Sequence, residues 1–232
     1  MSNAANLKPV FIPAQPVENP ARRKMLVAAT TGAHLELRVG AIASLTAVDL
    51  CDLLERVRLA HPNLSVSIVQ EATDEMVRDV RDGRLDLAIV DTARPSGRNL
   101  ESLVVCEESF SLVGPALPSG PVAPADLDGR TWVALRCGTR LREVFDRLME
   151  DHHLVPAVIG QVGDIRLLGR LSAAGFGNAV LPAPMTRRQR AAPIPAAVLA
   201  PRIVRAVYAP YHCNPALATC LTILHDGAGS AG

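Results

Sequence analysis

Aromatic side chains make up only 3% of this 232-residue chain, with Trp132 its single tryptophan. A stacking platform for single-stranded nucleic acid needs more of them, so Leu, Val, Ile and Ala must build the core. An excess of one charge sign is missing too: 24 basic residues face 23 acidic ones. That balance leaves no concentrated positive face of the kind that binds DNA unaided. Lys8 and Lys24 are the only lysines. Cys51, Cys106, Cys137, Cys213 and Cys220 are odd in number and contain no C-x-x-C pair. They argue against a disulfide framework and fit a reducing cytoplasm. No basic start leads into an apolar run, and no apolar run reaches ~18 residues, so neither a secretory signal nor a membrane span is expected.

Catalytic and metal motifs are missing as well. There is no G-x-S-x-G elbow and no H-E-x-x-H. Gly175-x-Gly177 follows a helical segment instead of opening one, the wrong order for a dinucleotide site. His152 and His153 are adjacent, so their side chains splay, and they read as a surface pair. His212, Cys213 and Cys220 lack convincing zinc partners. Cys137 reads as a packed free thiol. No metal and no cofactor are expected.

What is present is an ordered α/β pattern. Residues 1–35 read as an arm: Pro9, Pro13, Pro16 and Pro20 interrupt it, and Arg22-Arg23-Lys24 reads as a solvated cluster. Ser2-Asn3-Ala4 reads as either a tag remnant or a native start, and Met25–Ala29 as one or two helical turns. Beyond it, Leu37–Ile42 reads as a strand, followed by Ser44 and a helix whose Leu50, Leu53, Leu54 and Val57 form one apolar stripe. Val66–Val69 is a second strand. Thr73 reads as the N-cap of a helix carrying Met76, Val77 and Val80, stopped at Gly83. Leu85–Val90 is a third strand, apolar enough to be covered on both faces.

Pro115, Pro118, Pro121 and Pro124 mark the passage to a second lobe. There Trp132–Leu135 reads as a strand and Gly138-Thr139 as a turn and cap. The next helix carries Leu141, Val144, Phe145, Leu148 and Met149. Val155–Val162 is a strand, Asp164 caps a further helix, and Gly175 follows that helix as its C′ residue. Ala179–Leu181 is a short strand, 186–201 a Pro/Arg-rich loop, Ile203–Tyr208 a strand, and Pro215 opens a last helix through Leu224. Strand–helix–strand order predicts parallel pairing in each lobe, with two connections between lobes and ligands beyond the strands' carboxyl ends.

The order of Leu37–Leu45, Glu71–Glu75, Asp82–Val90, Asp126–Gly129 and Ala173–Pro182 over residues 37–224 resembles the effector-binding domain of LysR-type transcriptional regulators. The resemblance implies two Rossmann-like α/β lobes joined by crossover strands, as in type II periplasmic binding proteins, with a ligand cleft between them. It implies lobe I over 36–114 plus 206–228 and lobe II over 115–205. It implies a small-molecule effector and a homodimer pairing first lobe with second, with the exposed side of the Leu50–Val57 helix as candidate contact. The family's winged helix-turn-helix is absent, because residues 1–35 are too short and too proline-rich, so DNA binding is not carried over to this chain.

A helix start offers unpaired N–H groups and partial positive charge, which suits an anionic metabolite. Ser44, Thr73 and Thr139 are placed at such starts, and Thr92 just past a strand. Arg136 and Arg140 flank Gly138 and could grip a carboxylate. Asp164 and Phe176 complete the candidate effector-binding set. Each has a plainer reading: caps for Ser44, Thr73, Thr139 and Asp164, turn formation for Thr92, surface charge for the arginines, and a helix stop around Phe176. Two other functions fit the fold: a stand-alone interaction partner of a full-length regulator, or an enzyme on the same two lobes.

Overall fold

The computed structural model describes residues 35–46, 48–92, 99–211 and 214–228. The basic cluster, the turns at Met25–Ala29 and the His212-Cys213 pair lie outside them. The first sheet begins with β1 (Leu35–Ala41), α1 (Leu50–Ala60), β2 (Leu64–Val69), α2 (Thr73–Arg81) and β3 (Leu87–Asp91). It is completed by β4 (Glu101–Glu108), β10 (Arg202–Tyr208) and α5 (Pro215–Ala228). The strand order is β2-β1-β3-β10-β4, with β1 parallel to β2 and β3, and β10 antiparallel to β3 and β4.

The second half holds β5 (Phe110–Val113), β6 (Thr131–Leu135), α3 (Arg140–Asp151), β7 (Ala157–Val162), α4 (Ile165–Ala173), β8 (Ala179–Pro182) and β9 (Ala192–Ile194). The order β8-β5-β9 is antiparallel, and β6 and β7 pair in parallel. Asn178 joins the two pieces: its N–H donates to the Thr131 carbonyl and its own carbonyl accepts from the Val133 N–H. The result, β7-β6-β8-β5-β9, repeats the first sheet's order position by position.

Each sheet is covered on both faces. One face of the first sheet packs Leu53 and Val57 of α1 and Leu217, Cys220 and Leu224 of α5 on Leu37, Val39 and Ile89. The other packs Met76, Val77 and Val80 of α2 on Ala88, Val90 and Val207. This double cover is why β3 is buried at every residue. In the second half, Phe145, Leu148 and Met149 of α3 meet Trp132 and Phe110, with the Trp132 and Phe145 rings edge to face at 5.1 Å. Ile165 and Leu168 of α4 cover Val133, Leu135 and Leu181 on the opposite face. Gly83 and Gly175, at φ 74° and 86°, end α2 and α4 in the left-handed conformation that only glycine adopts at little cost.

Several expectations are corrected. Ser44 does not open a helix: α1 begins at Leu50, capped by Asp49, whose carboxylate accepts from the Cys51 and Asp52 N–H groups. Thr73 is the first residue of α2, whose N-cap, Ala72, makes no side-chain cap. The 186–201 loop hides β9, an edge strand whose Pro193 needs no outward N–H partner. The chain enters the second half by Phe110, before the expected change at 114, because β5 pairs with β8 and β9. It is back in the first sheet at Arg202, before the expected 206. The two passages between sheets are therefore β4 to β5 and β9 to β10. His152 is tied to the Val198 carbonyl at 2.9 Å and is no free surface group, and Cys137 is exposed instead of packed.

Trp132 is 1% exposed and central to the second half's core. Trp132→Ala is expected to lower unfolding free energy by about 3–5 kcal/mol, against less than about 0.5 kcal/mol for the exposed Val155→Ala, read by urea denaturation.

Candidate functional site

A cavity of about 380 Å³ opens between the two halves at the carboxyl ends of β1, β2, β6 and β7. From the first half its wall takes Ile42–Ser44 and Gln70–Asp74; from the second it takes Leu135, Gly138–Leu141, Glu143, Gly163 and Ile165. The starts of α2, α3 and α4 thus converge on one space. Two of those starts are satisfied by their own caps. Thr139 Oγ1 accepts from the Arg142 N–H and donates to the Arg136 carbonyl, and Asp164 accepts from the Arg166 N–H. The α2 start has no such side-chain cap, and its first residues, Ala72, Thr73 and Asp74, line the cavity.

Ser44, Thr73, Thr139 and Arg140 all lie on this wall. Ser44 is there for a reason its local sequence does not reveal. Its hydroxyl accepts from Arg202 Nη1 at 2.7 Å and its carbonyl from Arg202 Nη2 at 2.8 Å. Arg202 Nε donates to Glu108 Oε2 at 2.7 Å, and Thr46 donates to Glu108 Oε1. Arg202 and Glu108 lie directly opposite in the β10–β4 register, where both passages between the halves leave the first sheet. Both side chains are 2% exposed. A buried pair of this kind gives little net stability, yet it is costly to break from one side.

The other expected residues lie off the wall. Thr92 is buried and its N–H donates to the Ile203 carbonyl. Arg136 is exposed, with its guanidinium beside Gly163. Asp164 caps α4 between the wall residues Gly163 and Ile165 without lining the cavity. Phe176, 64% exposed, follows the far end of α4, about 13 Å from its start at about 1.5 Å per residue. It does not reach the cavity.

The wall also carries Gln70, Glu71, Asp74 and Glu143. Arg140 Nη1 donates to Glu143 Oε2 at 2.9 Å. That bond holds the guanidinium charged; partial burial opposes it, and Glu143, Asp91 and Asp74 add to it. Asp91 ends β3, two residues beyond Ile89, whose carbonyl accepts from the Ile42 N–H. Its Oδ2 lies 3.8 Å from Arg202 Nη1 and makes no hydrogen bond. Burial pushes the Asp91 carboxyl above the usual range, with Arg202 and Arg140 opposing. Among the described residues no cluster of His, Cys, Asp and Glu could hold a metal, and no helix is long and apolar enough to cross a membrane. Burial raises the Cys220 thiol to about 12 and the Cys106 thiol to about 11.

Two repeated α/β halves, two connecting passages and a cavity at the strand ends define a type II periplasmic-binding-protein-like architecture. The chain matches the LysR substrate binding domain over residues 30–229, and it belongs to that family. It is 29% identical over 162 residues to the uncharacterized HTH-type transcriptional regulator YnfL of Escherichia coli (strain K12), a match covering 66% of this chain and 54% of that protein. The chain thus spans about half the length of that curated relative. The regulatory domain of CcmR from Synechocystis PCC6803, solved in complex with 2-PG, superposes with TM-score 0.71 at 16% identity, covering 84% of this chain and 98% of that one. The BenM effector binding domain with its effector benzoate gives 0.67 at 19%, covering 84% and 92%. At those identities the likeness establishes the fold.

The raised carboxyl of Asp91 carries a sign for stability. A group that binds its proton more tightly when folded stabilises the fold below its unfolded pKa and loses that contribution as pH rises through the folded value. Asp91→Asn is therefore expected to be more stable than the parent at neutral pH, with the difference shrinking toward zero as the pH falls below the ordinary aspartate range. Urea unfolding measured across that range checks it.

Proposed function

We propose that this chain is the effector-sensing part of a LysR-type transcriptional regulator, acting in the cytoplasm, with DNA reached through a helix-turn-helix outside residues 1–232. A small metabolite occupies the cleft, an acceptor or anionic group resting on the uncapped start of α2, and Ser44, Thr73, Thr139 and Arg140 are its nearest side chains. The observation that carries this reading is the origin of the wall: both halves contribute, so a ligand contacts them together only in one relative arrangement. Such a ligand shifts the balance between arrangements by its difference in affinity for them. Catalysis has no support of this kind.

Ala43 is exposed on the wall, so a larger side chain there fills the cavity without entering the core. A metabolite that raises the parent's melting temperature is expected to leave Ala43→Phe unshifted in a thermal-shift screen. Equal stabilisation of both proteins would refute the cleft as the site.

The partner is a second copy, first half against second half. β2 and β7 each form one edge of their sheets, and Ile68 (51% exposed) and Ile159 (62%) stand on them, with Leu59 of α1 and Val155 nearby in sequence. Unpaired edges carrying apolar side chains are natural pairing surfaces. Ile68→Asp combined with Ile159→Asp is expected to shift sedimentation from dimer to monomer; a parent that sediments as a monomer at high concentration counts against this pairing.

A further inference from the structure

The charges on the cavity wall do not match a purely anionic guest. Glu71 and Asp74 come from the first half and Glu143 from the second, while Arg140 is the one cation among the described wall residues. Arg140 is already hydrogen-bonded to Glu143. Their side chains remain 45% and 51% exposed, so the pair stands on the wall without emptying it of negative charge.

A second observation lies just behind the Ala43–Ser44 part of the wall. The Asp91 side chain is nine-tenths buried and its Oδ2 has no hydrogen-bond partner. The neighbouring guanidinium of Arg202 directs its hydrogen bonds to Glu108 and to Ser44, with Asp91 Oδ2 left at 3.8 Å. Two buried carboxylates therefore share one buried cation beside a wall that already has carboxylates in excess. Two of the three helix starts that could offset this are capped by Thr139 and Asp164. Only the α2 start is left to take an acceptor group, and Glu71 and Asp74 stand on either side of it.

Resting on the cleft being a ligand site, we propose that its ligand carries a cationic group, an ammonium or guanidinium, seated against Glu71 and Asp74. Where the acceptor at the α2 start is a carboxylate, the ligand is a zwitterion. An ammonium or guanidinium brings charge-assisted N–H donors to carboxylates that are solvated when the cleft is empty. A simple carboxylate or phosphate brings a further negative charge to the same wall, and like charges brought together this closely oppose binding.

The test is a thermal-shift and calorimetric comparison on the full chain with three probe classes at millimolar concentration. The first holds amines and zwitterions (L-lysine, L-arginine, L-ornithine, 1,4-diaminobutane). The second holds simple carboxylates (pyruvate, succinate, benzoate), and the third a phosphorylated acid (phosphoenolpyruvate). Stabilisation by a member of the first class, with affinity lowered about tenfold in both Glu71→Gln and Asp74→Asn, is the expected result. Both residues are exposed, so these variants keep their fold, and an unchanged melting temperature without ligand verifies it. Stabilisation by carboxylates or phosphoenolpyruvate alone overturns the cationic class and leaves the cleft standing as a site. Stabilisation by an amine that neither substitution weakens overturns the seating on Glu71 and Asp74. No stabilisation by any class overturns this inference and the small-molecule reading together.

Discussion

One guanidinium holds the middle of this molecule together. Arg202 begins β10, where the chain returns to the first sheet; it grips Glu108, where β4 leaves that sheet, and Ser44, on the cavity wall. Taking these charges out of water is costly, and the cost is met only because the donors of Arg202 point at a carboxylate, a hydroxyl and a carbonyl. The arrangement couples the two passages between halves to the surface a ligand would touch. Ser44 is thus one hydrogen bond from the Arg202–Glu108 pair, at the point where both passages leave the first sheet.

The cavity follows from the repeat. Both sheets use the same strand order, so both aim their parallel strands' carboxyl ends, and the helices that follow, at the same gap. The scaffold supplies helix starts and backbone donors wherever this fold is built. What differs from one such cleft to another is the side chains set around those starts, here Glu71, Asp74, Arg140 and Glu143, since the fold alone does not choose a ligand.

Much of the scaffold was legible in advance because it depends on short-range patterns. The stripe Leu50-Leu53-Leu54-Val57 predicts α1, and the apolar run ending at Val90 predicts a strand covered on both sides. Thr139 and Asp164 cap their helices as their local surroundings suggest. Ser44 and Thr73 line the cavity but cap no helix, because Asp49 and Ala72 hold the N-cap positions. Phe176 lies off the cavity wall because nearness in sequence to α4 says nothing about which end of α4 faces the gap. β9 is hidden in the sequence because Pro193 and Pro195 read as loop, although an edge strand tolerates such residues.

The residues by themselves determined most of the helices and the parallel strands, the capping of α3 and α4 and the family, since periodicity, turn chemistry and spacing act over a few neighbouring positions. Only the tertiary structure decided what Ser44 does, where the lobes change, and which carboxylates gather on one wall. Arg202 lies 158 residues from Ser44 and 94 from Glu108. A hydrogen bond between such positions exists only after β10 has been laid between β3 and β4. The wall's charge, likewise, belongs to no one segment; it arises when Glu71 and Asp74 from one half come to face Arg140 and Glu143 from the other.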